Sequence, residues 1–466
     1  MKTTNLNRTG KARVICLGQT LMLMCATAVY AQKINLDVRD YGAKADGVTL
    51  DSPAIQRAID EAASRGVPAR IYIGPGRYLI GTIELRHNTE LYLERNATLV
   101  ISTNPTHYKA DAVIYASNAS NVKITGSGKV LGRGLQFMTR YDPVGEWWIF
   151  GEWRPKMFIL TGCTNLTICD ITYGEAPFWG LHMLGCHRVL VERVKVRNYL
   201  DIPNCDGIVA DHCTDVTIRN CDIRCGDDAI VIKTTRQPVR FGPSANIHVH
   251  DCVLETQDSG LKIGTESTED IHDILFERCR IKRSCRGLNI QLRDEGSVYN
   301  VTFRDIKFIA QYHADPWWGR GESISFTLIP RTAETKLGAI SNVVVMNVSG
   351  RAENSARICG MPGNPIRNVR FENVWLKIGR WTKYKGGVFD NRPTSVLQDI
   401  EPHDTAGVFI RHAQDVLLIN CSVNWESKPP QYFGPTLWAT NATGLKLRNF
   451  NGSSANPSLY SDIVFY

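Results

Sequence analysis

Asp206 precedes a glycine in "NCDG" at residues 204–207, and Asp227 and Asp228 follow one in "CGDD" at 225–228, 21 and 22 residues further on. Carboxylates brought close together repel, and at least one then keeps its proton. A site holding one protonated and one ionised carboxyl can hydrolyse a glycosidic bond: the acid protonates the leaving oxygen and the base activates water. The competing reading is local. Asn and Asp are common at turns, where they bond nearby backbone. The two readings separate on one question, whether the chain returns to the same place after 21 or 22 residues.

An internal repeat answers it. "TNLTICDITY" at 164 is followed by "HRVLVERVKV" at 187, "TDVTIRNCDI" at 214, "ANIHVHDCVL" at 245, "HDILFERCRI" at 272 and "YNVTFRDIKF" at 299. Later copies are "SNVVVMNVSG" at 341, "RNVRFENVWL" at 367, "QDVLLINCSV" at 414 and "TGLKLRNFNG" at 443. Each has a polar turn, a short alternating strand, a polar bend and a second apolar residue. One such copy cannot bury its own apolar side, so copies at this period must stack as a solenoid. Alternation rich in β-branched residues makes it a β-solenoid. Copies start 23 to 31 residues apart except for two steps of 42 and 47, from 299 to 341 and from 367 to 414. The long steps place loop insertions near 310–335 and 378–406. Asp206 and the Asp227–Asp228 pair then face each other across adjacent coils. Consecutive strand residues point to opposite faces, so both members of the pair reach one cleft only if the chain bends at Gly226.

The ends differ from the repeat. Residues 1–31 read as a signal peptide, with Lys2, Arg8, Lys11 and Arg13 before an apolar run and "VYA" at a cleavage position. The run is too short and interrupted to span a membrane. The expectation is an exported protein, secreted or periplasmic. Residues 32–110 form an N-terminal cap and the first coils, with a short capping helix over Pro53–Ser64 that covers an open solenoid end; residues 111–466 form the main body. Of the formal net charge of +8, four positive residues belong to the first 31, leaving +4 on the rest. That mild bias does not point to nucleic acid, and it tolerates an acidic polysaccharide. Twelve of the 14 cysteines lie between 163 and 421. Cys163, Cys186 and Cys213 recur at one repeat position and Cys221, Cys252, Cys279 and Cys421 at another, which suits buried thiol ladders. Disulfides, and a metal set of His212, Cys213, Cys221 and Cys225, are the alternatives.

Two segments carry a resemblance. "DYGAKADGVTLDSPAIQRAID…IYIGPGRYLIGTIEL" resembles the N-terminal part of pectin-lyase-like right-handed parallel β-helices. "WRPKMFILTGCTNLTICDI…APFWGLHMLGC", "NCDG" and "CGDDAIVIK" are similar to polygalacturonase-like enzymes of glycoside hydrolase family 28. The resemblance implies an all-β, single-stranded right-handed parallel β-helix that acts on a pectic polysaccharide or oligosaccharide. It implies Asp227 as general acid, with Asp206 and Asp228 positioning and deprotonating water, hence inversion with carboxyl groups roughly 6.5–9.5 Å apart. No cofactor, metal, nucleic acid or membrane span is called for, and a monomer is expected. The chain departs from the family where a Gly-His-Gly and an Arg-x-Lys are usual. "DSGLKIGTES" puts Ser259 in place of the histidine, and "RGLNIQLRDEG" puts Asn289 and Gln291 in place of the basic pair that holds a galacturonate carboxylate.

Candidate substrate contacts are Asn204, Lys233, Ser259, Lys262 and Arg293, with Arg286 and Glu266 in the same stretches. Asn204 also suits the turn itself, Lys233 a solvated strand end, and Arg293 a pair with Asp294 or Glu295. Trp147, Trp148, Trp153, Trp317 and Trp318 offer faces for sugar rings or anchors for loops, and His182 suits a structural role. Two other functions share these features: a polysaccharide lyase using the aspartates as a calcium site, and a non-catalytic glycan-binding solenoid.

Overall fold

The structure, a computed structural model, describes residues 33–466. The signal-peptide reading of residues 1–31 therefore lies outside the described residues. The body is one long stack of short parallel strands, each paired with its equivalents one coil before and after. The ten copies stack in the register in which they were aligned. Thr164 pairs with His187, His187 with Thr214, Thr214 with Ala245 and Ala245 with His272. His272 pairs with Tyr299, and the series continues through Ser341, Arg367, Gln414 and Thr443.

The alternation has the expected cause. The third and fifth residues of each copy point inward and build continuous apolar columns. One runs from Leu166 through Val189, Val216, Ile247 and Ile274 to Val301, all buried. In the next column Phe276 and Phe303 stack with centroids 4.9 Å apart and ring planes 11° apart, the spacing of neighbouring strands. The polar turn is equally regular: Asn165, Arg188, Asp215, Asn246, Asp273, Asn300, Asn342, Asn368 and Asp415 all have φ between 52° and 56°. Asn and Asp tolerate this left-handed region best among non-glycine residues. They also ladder, as when the Asn368 amide donates to Asn342 Oδ1 at 2.7 Å.

All twelve cysteines among the described residues are buried and unpaired as disulfides. Cys186 Sγ donates to the Leu160 carbonyl at 3.1 Å and Cys213 Sγ to that of Met183 at 3.3 Å, each on the preceding coil. The metal alternative finds no support: His212 Nε2 faces the Thr235 carbonyl at 2.8 Å, and its Nδ1 faces that of Gly242. The first coils are covered by a helix at Ser52–Arg65, which lays Ile55, Ala58, Ile59 and Ala62 on the core. Asp51 precedes it without capping it; its carboxylate accepts instead from Lys44 N at 2.7 Å and Ala45 N at 3.0 Å. No helix among the described residues is long and apolar enough to cross a membrane.

The interval near 310–335 is two loops, because the strand Glu322–Leu328 between them pairs with Arg286–Leu292 as part of a coil. Residues 379–407 leave the stack and carry a small antiparallel pair, Val388–Asp390 with Ile400–Pro402. A second such pair, Met138–Asp142 with Trp147–Phe150, brings Trp147 edge-on to Trp317 at 5.7 Å.

Candidate active site

Ile208 pairs with Ile230, so Asp206 and Asp228, each two residues earlier, occupy the same place on adjacent coils. Leu181 pairs with Ile208, which puts Trp179 one coil before Asp206. Ile230 pairs with Leu261, which puts Asp258 one coil after Asp227. Trp179, Asp206, Asp227, Asp228 and Asp258 line one cavity of about 190 Å³, together with Asn204, Lys233, Lys262, Thr265, Glu266, Gln291, Trp318, Arg331 and Pro393. The interval of 22 residues is thus one turn of the solenoid.

Asp227 and Asp228 lie between strands, Asp222–Cys225 and Ile230–Thr234, where the alternation of a strand does not apply. The bend is tight: Asp228 N donates to Asp227 Oδ1 at 2.8 Å, and Asn204 N on the preceding coil donates to Asp227 Oδ2 at 3.1 Å. The backbone carbonyl of Asp227 accepts from Thr256 Oγ1 and, at 3.0 Å, from Cys225 Sγ. Gly226 is needed for space. A Cβ there would stand 2.3 Å from the Ile202 carbonyl oxygen and 2.9 Å from both Cys205 Sγ and the Tyr199 carbonyl. Gly226→Ala is expected to shift the aspartate bend, lowering kcat by about a hundredfold for a displacement near 1 Å and stability by about 1–3 kcal/mol. Steady-state kinetics and urea unfolding check both.

One oxygen from each of Asp206, Asp227 and Asp228 lies within 4.8 Å of the other two. Burial and the neighbouring Asp206 and Asp228 push the Asp227 carboxyl up to about 7. Burial likewise pushes Asp206 up to about 7 against the pull of Lys233, with Asp228 adding to the rise. Lys262 Nζ donates to Asp228 Oδ2 at 2.8 Å and lies 3.8 Å from Asp258 Oδ2. Burial works against the Lys262 charge, but these two carboxylates hold it above the ordinary lysine value. Burial also pushes Asp258 well up. Lys233 Nζ donates to Glu266 Oε2 at 2.8 Å. Arg331 meets Asp294 at 2.7 Å and Glu266 at 3.6 Å. The Lys262 ammonium thus sits among the carboxylates where a calcium ion would need oxygen ligands.

Two expected contacts lie elsewhere. Ser259 is fully buried; its hydroxyl donates to Asp258 Oδ1 at 3.0 Å and accepts from Asn289 Nδ2 at 2.9 Å. Arg293 is also fully buried, donating to Thr327 Oγ1 at 3.1 Å and to the Asn391 carbonyl at 3.3 Å. It pairs with neither Asp294 nor Glu295, because residues 390–391 of the insertion close over it. Arg286 is sealed off in the same way, among Asp258, Glu322 and Asp390. Of the five tryptophans singled out, Trp318 alone lines the cavity, and Trp317 is buried beside Trp147.

The sequence reading missed Asp258, Trp179, Arg331 and Pro393. Asp258 was legible, since "QDSG" repeats "GDDA" one copy later; Arg331 and Pro393 come from insertions, which have no register. His182 holds Trp179 from behind at 4.8 Å, edge-on. Its Nδ1 faces Lys156 Nζ at 3.3 Å and its Nε2 faces Asp211 Oδ2 at 3.0 Å. An ammonium only donates, so the ring proton sits on Nε2 toward Asp211.

The description Glycosyl hydrolases family 28 matches residues 63–388. The chain is 23% identical to a probable polygalacturonase of Vitis vinifera over 405 residues, 78% of this chain and 79% of that one. Among solved structures it resembles the family 28 exopolygalacturonase of Yersinia enterocolitica, with TM-score 0.65, 19% identity, and 93% and 78% of the two chains covered. It also resembles the polygalacturonase of Erwinia carotovora, with TM-score 0.58, 18% identity, and 81% and 99% covered. The parallel β-helix and the matched span agree: this chain belongs to glycoside hydrolase family 28 and is a polygalacturonase-like glycosidase.

Proposed function

We propose that the protein is an exported hydrolase that cleaves a pectic backbone from a chain end. The observation that carries this reading is the cluster of Asp206, Asp227 and Asp228 on adjacent coils, two of them raised to about 7. Asp227 is the general acid: it faces the cavity, and its proton is kept by burial and two neighbouring carboxylates. Asp206 and Asp228 hold and deprotonate water, with the Lys262 ammonium donating to Asp228 Oδ2. Inversion follows from attack by that water. Proton NMR of the first-formed anomer checks this: the inverted anomer is expected, and the retained one would mean direct attack by a carboxylate.

Three features support a single bound end residue at the cleavage site. The cavity of about 190 Å³ has room for one sugar ring. Trp318, Arg331 and Pro393, all from insertions, line it together with the residues of the coils. Its cations, Lys233, Lys262 and Arg331, are all paired with carboxylates, which suits a neutral sugar there and hence a mixed backbone such as rhamnogalacturonan. The test is reducing-sugar release with product mass from pectins, rhamnogalacturonans and neutral galactans. Saturated single residues from a mixed backbone are expected. Unsaturated products absorbing in the ultraviolet would replace the reading with a lyase, and binding without release would replace it with a glycan-binding solenoid.

The pH profile is a further check. Asp227 must be protonated to act, so kcat/KM is expected to fall about tenfold per pH unit above pH 7, following the raised carboxyl. The acid limb belongs to the coupled aspartates as a group. An alkaline limb near pH 5 would place the acid elsewhere.

A further inference from the structure

Phe158 pairs with Leu181, so Lys156, Trp179, Asp206 and Asp228 occupy one position on four successive coils. Coils repeat at about 4.8 Å, which places Lys156 roughly 10 Å from Asp206 along the stack, with Trp179 between them. Lys156 Nζ lies 4.0 Å from the centroid of the Trp179 ring and 5.8 Å from that of Phe178. Among the described residues it has no carboxylate partner; its one polar contact is His182 Nδ1. The three cations of the cavity itself are all paired. The Lys233 ammonium also lies over this ring, 5.1 Å from its centroid, but is paired with Glu266; a half-buried ammonium held over the ring without a carboxylate, in line with the reacting groups, is a place for a substrate anion. Arg154 is committed differently, to the carbonyls of Pro177 and Pro203 and to Asn204 Oδ1, with its guanidinium over Phe150 at 3.8 Å.

We propose that Lys156 and Trp179 form a subsite for a uronate sugar, two coils before the catalytic aspartates, in which the Lys156 ammonium, held over the Trp179 ring, takes the sugar carboxylate. The proposal rests on the hydrolytic reading of the aspartate cluster. It places recognition of acidic sugars outside the cavity, on the N-terminal side, whereas the family's usual basic pair would stand at the positions of Asn289 and Gln291.

Binding separates the two readings. The full chain carrying Asp227→Asn is titrated calorimetrically with a rhamnogalacturonan oligosaccharide and with its carboxyl-reduced counterpart. The acidic form is expected to bind at least about tenfold more tightly, the worth of one charge-assisted hydrogen bond. Adding Lys156→Met is expected to erase that difference and Lys156→Arg to keep it. Lys156→Gln retains a donor for His182 and isolates the charge from any loss of packing. In the active chain, Lys156→Gln is expected to raise KM on the acidic polymer about tenfold with kcat within about twofold. Discrimination that survives Lys156→Gln, or that the parent lacks, or no binding of either oligosaccharide, overturns the subsite. Discrimination by a wild-type chain that releases no sugar keeps the subsite and removes the hydrolytic reading.

Discussion

Asp227→Asn is expected to abolish sugar release and, at pH 7, to make the protein more stable. The catalytic loss is that of the general acid, about 10²–10⁴-fold in kcat. An amide has no proton to give the leaving oxygen, and its removal also relaxes Asp206, whose charge it had faced. The stability gain has the opposite root. Below about pH 4 the carboxyl is protonated whether the chain is folded or not, since its ordinary value is 3.8. Between there and pH 7 the folded chain holds a proton that the unfolded chain has lost, so stability falls as pH rises. The deficit is complete above about 7, the value to which burial and the neighbouring aspartates push the group. Asparagine escapes that cost but offers one acceptor oxygen where Asp227 offers two, to Asn204 N and Asp228 N. One lost hydrogen bond is worth about 1 kcal/mol. The net gain at pH 7 is expected at about 1–3 kcal/mol, turning into a loss of about 1 kcal/mol near pH 4, where only the lost hydrogen bond remains. Urea unfolding of both proteins at pH 4 and pH 7, beside the reducing-sugar assay, measures it. Retained activity would remove Asp227 from the acid role; an equal or lower stability at pH 7 would show that the carboxyl stays ionised in the folded state.

Arg286→Met is expected to be among the most destabilising single changes in the chain. Arg286 is fully buried, with its guanidinium 3.6 Å from Glu322, 3.7 Å from Asp390 and 3.9 Å from Asp258. It also donates to the Asp390 carbonyl at 3.2 Å. Asp390 keeps Arg320 and Arg392 as partners when Arg286 is removed, but Glu322 is left without a cation and Asp258 with Lys262 alone at 3.8 Å. Removing one member of a buried charge cluster costs about 3–5 kcal/mol, because the charges left behind are neither solvated nor paired. The same contacts hold residues 379–407 onto the stack, so limited proteolysis within that insertion is expected to accelerate in parallel. A loss below about 1 kcal/mol would mean that water enters and solvates the remaining carboxylates.

Much of this protein was determined by the sequence alone, and for a physical reason. A solenoid repeats one local solution, so strand alternation, the left-handed turn residue and the coil period are written in every copy. The apolar positions of the ten copies fall in the register in which Thr164 pairs with His187 and onward to Thr443. With the period known, Asp206 and Asp228 had to meet, and Asp258 could have been found by the same step. What the tertiary structure decided lies where the repeat is broken. Arg293 and Ser259 have the residue types of substrate contacts, but whether they face a groove depends on residues 379–407, which follow no register and close over Arg293. Arg331 and Pro393 reach the cavity from such segments for the same reason. The raised carboxyls were also a tertiary matter: burial is the largest cause of the rise at Asp206 and Asp227, and neither composition nor the 22-residue interval expresses how deeply the surrounding coils and loops enclose them.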